Sequence, residues 1–180
     1  GGVLAGTWTV AAGQVLHGSD GSFKYLDGAA TQVTNQGKVS WDSTNAWYLQ
    51  GGASFSNRAS FVANADTALL YNGGAATTFD NTATGTVRAA AGKTLTVGGG
   101  VGFVNNGGRL QADDGAAIVY NDNSAVFNDG TRFVGSGSNR VVGTARFNGG
   151  YTSENLDRKS TRLKSSHRCI SDAVFCLKKK

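Results

Sequence analysis

The sequence contains no proline and no methionine, and its 180 residues include only two cysteines and two histidines. Both cysteines, Cys169 and Cys176, lie near the C-terminus together with His167. A structural zinc site needs more ligands at tighter spacing, so this group does not predict one. No apolar run approaches the roughly 18 residues of a membrane-spanning helix. Long helices are also disfavoured, because the chain carries 27 glycines and each costs a helix interior about 1 kcal/mol.

Residues 157–180 resemble a translated sequencing adapter rather than a protein segment. The stretch Asp157–His167 matches one reading frame of a common short-read adapter except at Lys164, and Ile170–Leu177 continues the match except at Asp172. Each exception lies one base away from the adapter codon, and a poly-A run would supply the three terminal lysines. We therefore predict that residues 157–180 are not native protein, that they are disordered or loosely helical, and that they do not extend the fold.

The basic character of the chain comes from this C-terminal segment. The whole chain has a formal net charge of +5, whereas residues 1–156 carry nine Lys or Arg against ten Asp or Glu, which gives −1. Without the segment no electrostatic argument favours nucleic acid or an anionic membrane as a partner. We expect residues 1–156 to be a fragment, cut at both ends, of a longer protein.

An internal repeat dominates residues 1–156. Its phrase is a phenylalanine followed two positions later by asparagine, with valine in place of phenylalanine in the first copy, and the leading residues lie 22, 24, 24, 24 and 20 apart. A period of 20–24 residues is typical of a solenoid rather than of a closed globular domain. The copies are Val33-Thr-Asn35, Phe55-Ser-Asn57, Phe79-Asp-Asn81 and Phe103-Val-Asn105, followed by the shortened forms Phe127-Asn128 and Phe147-Asn148.

A second phrase accompanies the first. The segment Gly85–Leu95 aligns without gaps on Gly6–Leu16 and on Gly108–Ile118. Between the phrases, short apolar alternations such as Thr94–Val97 and Ala117–Tyr120 end at Gly, Asn or Asp, a pattern that predicts strands of about four residues joined by turns.

These patterns predict an all-β fold, a right-handed parallel β-helix (β-solenoid) of about six to seven coils within residues 1–156. Each coil buries its apolar residues against the coils above and below it. Asparagine amides are expected to hydrogen-bond along the axis, as in stacked cross-β ladders. The expected columns are Phe55, Phe79, Phe103 and Phe127; Leu70, Leu95 and Ile118; and Asn57, Asn81 and Asn105.

The Phe-x-Asn-x-Gly phrases, the Gly85–Leu95 phrase and the Gly98–Gly100 spacer resemble autotransporter-associated β-helix repeats, and similar phrases occur in filamentous-haemagglutinin-like exoproteins. The resemblance covers most of residues 6–150. It implies the passenger region of a large secreted or surface-displayed protein of a Gram-negative bacterium. It also implies an extracellular or cell-surface location, with anchoring in the outer membrane through a region C-terminal to this segment.

Two adjacent carboxylates, Asp113 and Asp114, are the best candidates for catalysis. Glycosidases hold two carboxyl groups about 5–9.5 Å apart, and some β-helix proteins cut polysaccharides with clustered acids. In the aligned phrases the same positions hold alanine pairs, so a coil forms without charge there. The acids are therefore free for function, but the substitution is equally typical of an exposed turn.

Two further groups could carry chemistry. His17 lies in the turn-like phrase Leu16–Asp20; triad members come from separate segments, so we interpret His17 as a solvated turn residue. Asp122 and Asp129 lie among asparagines that offer oxygen donors for calcium. However, the glycine-rich nonapeptide of calcium-binding β-rolls is absent, and such turns mostly satisfy their own backbone.

Several aromatic side chains lie in the first third of the chain. Exposed aromatic residues could stack on sugars or form an adhesive patch, whereas buried ones would join the core columns. The sequence leaves both uses open for Trp8, Trp41, Trp47 and Tyr48.

The sequence favours a structural and adhesive rod, without catalysis, cofactor or metal, over an enzyme. Its expected partners are glycans or proteins on host or neighbouring cells and the flanking coils of the same chain, with no nucleic acid and no membrane insertion. The alternative is a β-helix polysaccharide-active enzyme or a phage tail-spike segment that uses Asp113 and Asp114.

Overall fold

The computed structural model describes residues 2–19, 21–121 and 123–158. In these residues the secondary structure consists of 22 short β-strands without a helix. The strands are, in chain order, β1 (Gly2–Leu4), β2 (Thr7–Val10), β3 (Val15–Gly18), β4 (Lys24–Asp27), β5 (Gln32–Asn35), β6 (Lys38–Trp41), β7 (Trp47–Gln50), β8 (Ser54–Asn57), β9 (Ser60–Ala63), β10 (Thr67–Tyr71), β11 (Thr78–Asn81), β12 (Thr86–Ala89), β13 (Thr94–Gly98), β14 (Gly102–Asn105), β15 (Arg109–Ala112), β16 (Ala117–Asn121), β17 (Ala125–Asn128), β18 (Thr131–Val134), β19 (Ser138–Val141), β20 (Ala145–Asn148), β21 (Tyr151–Ser153) and β22 (Leu156–Arg158).

Every third strand belongs to the same parallel sheet. Sheet A runs β1-β4-β7-β10-β13-β16-β19-β22, sheet B runs from β2 to β20, and sheet C runs from β3 to β21. One strand from each sheet makes a coil, so the described residues form seven complete coils and β22 begins an eighth. The predicted β-solenoid and its coil number are confirmed. The right-handed winding stays a prediction, founded on the strong preference of parallel crossovers for that hand.

Tight turns form some of the corners between sheets. The amide of Gln14 donates to the carbonyl of Ala11, and the amide of Lys93 donates to the carbonyl of Ala90. The third residue of each turn is a glycine, Gly13 or Gly92, with φ of 79° or 67°. A side chain is strained in that left-handed conformation, which explains why the phrase requires glycine there.

Phenylalanine rings form the predicted inner column of sheet B. Phe55, Phe79 and Phe103 lie in register on successive coils. Their ring centroids are 4.8 and 5.6 Å apart and the planes are nearly parallel, while Phe61 packs edge-on against Phe79. Such ring pairs contribute about 0.5–1.5 kcal/mol each beyond the area they bury.

The predicted asparagine ladder is also present. Asn57 donates from Nδ2 to Oδ1 of Asn81 at 2.8 Å, and Asn81 donates to Asn105 at 2.6 Å. Asn35 extends the ladder toward the N-terminal end, where its Nδ2 donates to Oδ1 of Asn57 at 2.7 Å. Thr131 ends the ladder by accepting from Asn105 at 2.8 Å. All four asparagines are fully buried, so these amides hydrogen-bond where water cannot reach them.

The predicted phenylalanine column is wrong at its fourth member. Phe127 lies in register with Asn105, not with Phe103, although the centroids of the Phe127 and Phe103 rings are 6.4 Å apart. Neighbouring residues on a strand point to opposite faces. In Phe127-Asn128 no residue separates the phenylalanine from the asparagine. Asn128 therefore faces outward, and Phe127 occupies the inner position that asparagine holds in the earlier coils.

The predicted column with Leu70 is also wrong. Leu70 faces outward in register with Tyr48 and Gly98, while the neighbouring Leu69 is buried. Leu95 and Ile118 do share an inner column. The residue of β10 in register with Leu95 is Thr67, and Leu69 lies in another inner column, with Trp47 and Val97.

Only one of the two alignments of the Gly85 phrase matches residues that occupy equivalent positions in the coil. Its strand β12 pairs with β15 in register, as the alignment with Gly108 requires. The Gly6 copy instead forms β2 of sheet B. The phrase therefore describes a strand, a corner and a strand, and it occurs at two different corners of the coil.

The boundary predicted after residue 156 falls inside β22. Asp157 and Arg158 continue this strand beside β19, so the first two residues of the adapter-like segment do extend sheet A. The prediction for residues 159–180 lies outside the described residues.

Candidate functional site

The predicted acid pair does not converge on a common point. Asp113 follows β15, and its carboxylate accepts hydrogen bonds from Nε of Arg88 at 2.8 Å and from Nε2 of Gln111 at 2.7 Å. Asp114 lies in the turn beyond it, with an exposed side chain. One carboxylate is thus held by two donors, and the other points into solvent.

The electrostatics of Asp113 are those of a structural ion pair. The hydrogen bond from Arg88 holds the pKa of Asp113 below its usual value, and Gln111 lowers it further. The same contact raises the pKa of Arg88. A general acid in glycoside hydrolysis needs a raised pKa, so Asp113 is poorly suited to that role. Asp113 instead links two successive coils.

His17 lies in strand β3 rather than in a turn, so the prediction of a turn residue is wrong. Its side chain is exposed, as expected, and Nδ1 lies 3.2 Å from Oδ2 of Asp42. The same carboxylate accepts from Nδ2 of Asn64 at 2.7 Å and from Oγ of Ser40 at 3.2 Å. Asn64 first, and then His17 and Ser40, lower the pKa of Asp42.

This polar cluster brings together a serine, a histidine and an aspartate, but in the wrong order for a nucleophile. In a catalytic triad the histidine lies between the other two and takes the proton from the hydroxyl. Here Asp42 lies between His17 and Ser40, and Ser40 donates to the carboxylate. The arrangement therefore stabilises three successive coils without activating the hydroxyl.

Sequence reasoning missed Asp42 as the partner of His17, and Ser40 and Asn64 as the further partners of Asp42. The bonds between neighbouring coils join residues 22 to 25 apart, which is one repeat: His17 with Asp42, and Asn64 with both Ser40 and Asp42. Projecting each polar residue forward by one period would have found them.

The asparagine-rich segment uses its oxygens on the protein itself. Oδ1 of Asp129 accepts from the amide of Gly150 at 2.8 Å, and Oδ1 of Asn123 accepts from the amide of Thr144 at 2.9 Å. Asp122 lies outside the described residues. Within the ranges that are described, no group of three or more His, Cys, Asp or Glu side chains is placed to hold a metal ion.

The four aromatic residues in the first third of the chain divide between core and surface. Trp41 and Trp47 are buried and stack at 5.0 Å. Tyr48 faces outward from sheet A and stacks on Tyr25 at 5.3 Å, with Phe23 edge-on at 5.4 Å. We call Phe23, Tyr25 and Tyr48 the tyrosine patch. Its tyrosine rings face each other along the axis, so it offers ring edges and hydroxyls rather than free ring faces.

Trp8 is the fourth of these residues and lies at the N-terminal end of the rod. It stands in register with Val33, which is 2 % exposed, yet Trp8 is 50 % exposed because the described residues place a coil on only one side of it. At the same end of the rod, between sheets A and C, a cavity of about 220 Å³ is lined mainly by apolar side chains that include Leu16, Trp41 and Trp47. Gly18 leaves room for the Trp41 ring, because a Cβ at this position would lie 2.1 Å from that ring.

No family model, no curated protein and no solved structure matches this chain. In the described part of the chain there is also no helix of the length and apolar character needed to cross a membrane.

Proposed function

We propose that this chain is a rod-forming structural and adhesive segment of a secreted or surface-displayed bacterial protein, without catalysis of its own. The observation that supports the proposal is the continuity of the inner columns. Asn35 to Thr131 form one chain of buried hydrogen bonds, and the parallel sheets run through all seven coils. Such stacking makes a stiff object whose outer faces vary independently of its core.

The flanking coils of a longer chain are the first proposed partner. Trp8 occupies an inner position of the end coil but remains half exposed. A further coil above it would bury this ring as the lower coils bury Val33.

Adhesion is proposed to use the outer faces, with glycans or proteins on host or neighbouring cells as partners. The tyrosine patch is the best-supported contact area. Phe23 is 45 % exposed, and Tyr25 and Tyr48 are both partly exposed on the outer face of sheet A. Aromatic side chains with a polar tip are typical of the central residues of protein interfaces.

Adhesion can be tested by retention of the purified chain on immobilised glycans and on cultured host cells under flow. We expect the double variant Tyr25→Ser/Tyr48→Ser to reduce retention at least about tenfold, the usual size of a hot-spot effect. Arg132→Ser, on the outer face of sheet C, is the matched control and should leave retention unchanged. Equal retention for both variants would reject the tyrosine patch.

The absence of catalysis is tested on the same glycan panel by measuring released reducing ends. We expect no release. Release that disappears in Asp113→Asn/Asp114→Asn would instead support the polysaccharide-active alternative.

A further inference from the structure

Tyr25 and Tyr48 form a ring pair that no other tyrosines repeat in the described residues. They occupy the same outer position of β4 and β7, on successive coils. Their ring centroids are 5.3 Å apart, and the two ring planes differ by 15°. Tyr71 instead donates its hydroxyl to a carbonyl in its own turn, and Tyr120 is fully buried. The pair is therefore a place where two phenol rings lie face to face within one chain.

Both rings of the pair can be reached from solution. Each is partly exposed on the outer face of sheet A, and Phe23 covers only an edge of Tyr48, with ring centroids 5.4 Å apart. Tyr120 offers the contrast, because its hydroxyl is buried and donates to Oδ1 of Asn139 at 3.2 Å. Pairing of the strands in register also holds the two rings close together, which favours a reaction between them over one between molecules.

We propose that Tyr25 and Tyr48 are a modification site, at which a haem peroxidase with hydrogen peroxide joins the two rings as dityrosine. Each phenol loses one electron and one proton and becomes a phenoxyl radical. The two radicals couple through the ring carbons next to the hydroxyl-bearing carbons, which forms one carbon–carbon bond. The hydrogens on the coupled carbons then shift to the oxygens and restore both phenols, while one hydrogen peroxide is reduced to two waters.

The cross-link fastens coil 2 (β4 to β6) to coil 3 (β7 to β9). Residues 1–156 contain no cysteine, so a disulfide cannot serve this purpose in the repeat region. Tyr25 and Tyr48 are 23 positions apart in the sequence, and closing a loop of this length restricts the unfolded chain more than the folded rod. Both side chains point outward, so the bond forms outside the sheet and leaves the pairing of β4 with β7 in place. The modification is independent of adhesion, since it requires only the ring pair and the oxidant.

The test is peroxidase treatment of the 180-residue chain after both of its thiols have been alkylated, because cysteine is also oxidised by peroxide. We expect the blue fluorescence of dityrosine in a chain that stays monomeric and loses the mass of two hydrogen atoms. After denaturation and digestion with trypsin, the product should join residues 25–38 to residues 39–58. The yield per chain should not change on about tenfold dilution, because both rings belong to one molecule.

Tyr48→Phe is the decisive variant, because phenylalanine keeps the stacked ring but lacks the phenol oxygen. We expect its yield to fall at least about tenfold, whereas Tyr71→Phe, the matched control, should keep the full yield. Far-UV circular dichroism establishes that both variants keep the β-fold. The cross-linked chain should also unfold at a higher urea concentration than peroxidase-treated Tyr48→Phe. Absence of dityrosine, an undiminished yield in Tyr48→Phe, or dityrosine found only between molecules would each overturn the proposal.

Discussion

Removal of one rung of the asparagine ladder should destabilise the fold out of proportion to the size of the side chain. Asn81 is fully buried and donates to Oδ1 of Asn105 while it accepts from Asn57. In Asn81→Ala, Nδ2 of Asn57 still donates to the carbonyls of Thr86 and Ala59. Oδ1 of Asn105 loses its amide donor and remains buried.

The expected cost combines two effects. A buried acceptor without a partner costs about 1–3 kcal/mol, and the small void adds about 1 kcal/mol. We expect Asn81→Ala to lower the free energy of unfolding by about 3 kcal/mol. The assay is urea denaturation followed by far-UV circular dichroism, with the slope of each transition compared between variants, because repeat proteins can lose cooperative unfolding.

The matched control is Asn148→Ala. Asn148 donates to Oδ1 of Asn128 at 2.9 Å on the outer face, where water replaces the lost bond. We expect a change below about 0.5 kcal/mol for this variant. Equal effects of the two substitutions would refute the reasoning, since burial would then contribute nothing to the strength of the ladder.

Two further predictions follow from close contacts and from charge. Gly85→Ala should destabilise by about 1–3 kcal/mol in the same urea assay, because its Cβ would lie 2.3 Å from the Asn57 carbonyl oxygen and from Oδ1 of Asn81; Gly21→Ala, which meets nothing within 4 Å, should be silent. Asp113→Asn should flatten the loss of stability in acid: the folded pKa of Asp113 is lowered, so its contribution is present above the unfolded value of about 3.9 and disappears as the pH falls through the lowered value. An unchanged slope of urea midpoint against pH below about 4 would contradict this.

The fold could be predicted from the sequence because one period governs it. Phe55, Phe79 and Phe103 recur at a spacing of 24, and one coil can bury its rings only against another coil. The asparagine ladder followed from the same spacing, since residues two apart on a strand share a face.

The errors arose where the period is irregular. The step from Phe103 to Phe127 keeps a spacing of 24, but the strand register advances by 22, from Asn105 to Phe127. Spacing alone does not separate these two alternatives, whereas the loss of the residue between phenylalanine and asparagine does. Alternation on the strand then moves Asn128 outside.

The polar contacts were harder to predict than the core. We predicted a pair of Asp113 and Asp114 because these residues are adjacent, but the partner of Asp113 is Arg88, one coil earlier. In a solenoid, chemical neighbours are residues one period apart, and adjacent residues diverge. The contact of His17 with Asp42 was missed for the same reason, because the two residues are 25 positions apart.

The direction of the ladder bonds has an electrical consequence. In every rung from Asn35 to Asn105 the amide nitrogen donates toward the C-terminal end. The side-chain dipoles are therefore parallel, as peptide dipoles are in a helix, and neighbouring bonds polarise one another in a water-free interior. The rod thus has a buried electrical polarity along its axis, with the partial positive pole beside Thr131 and the negative pole beside Asn35.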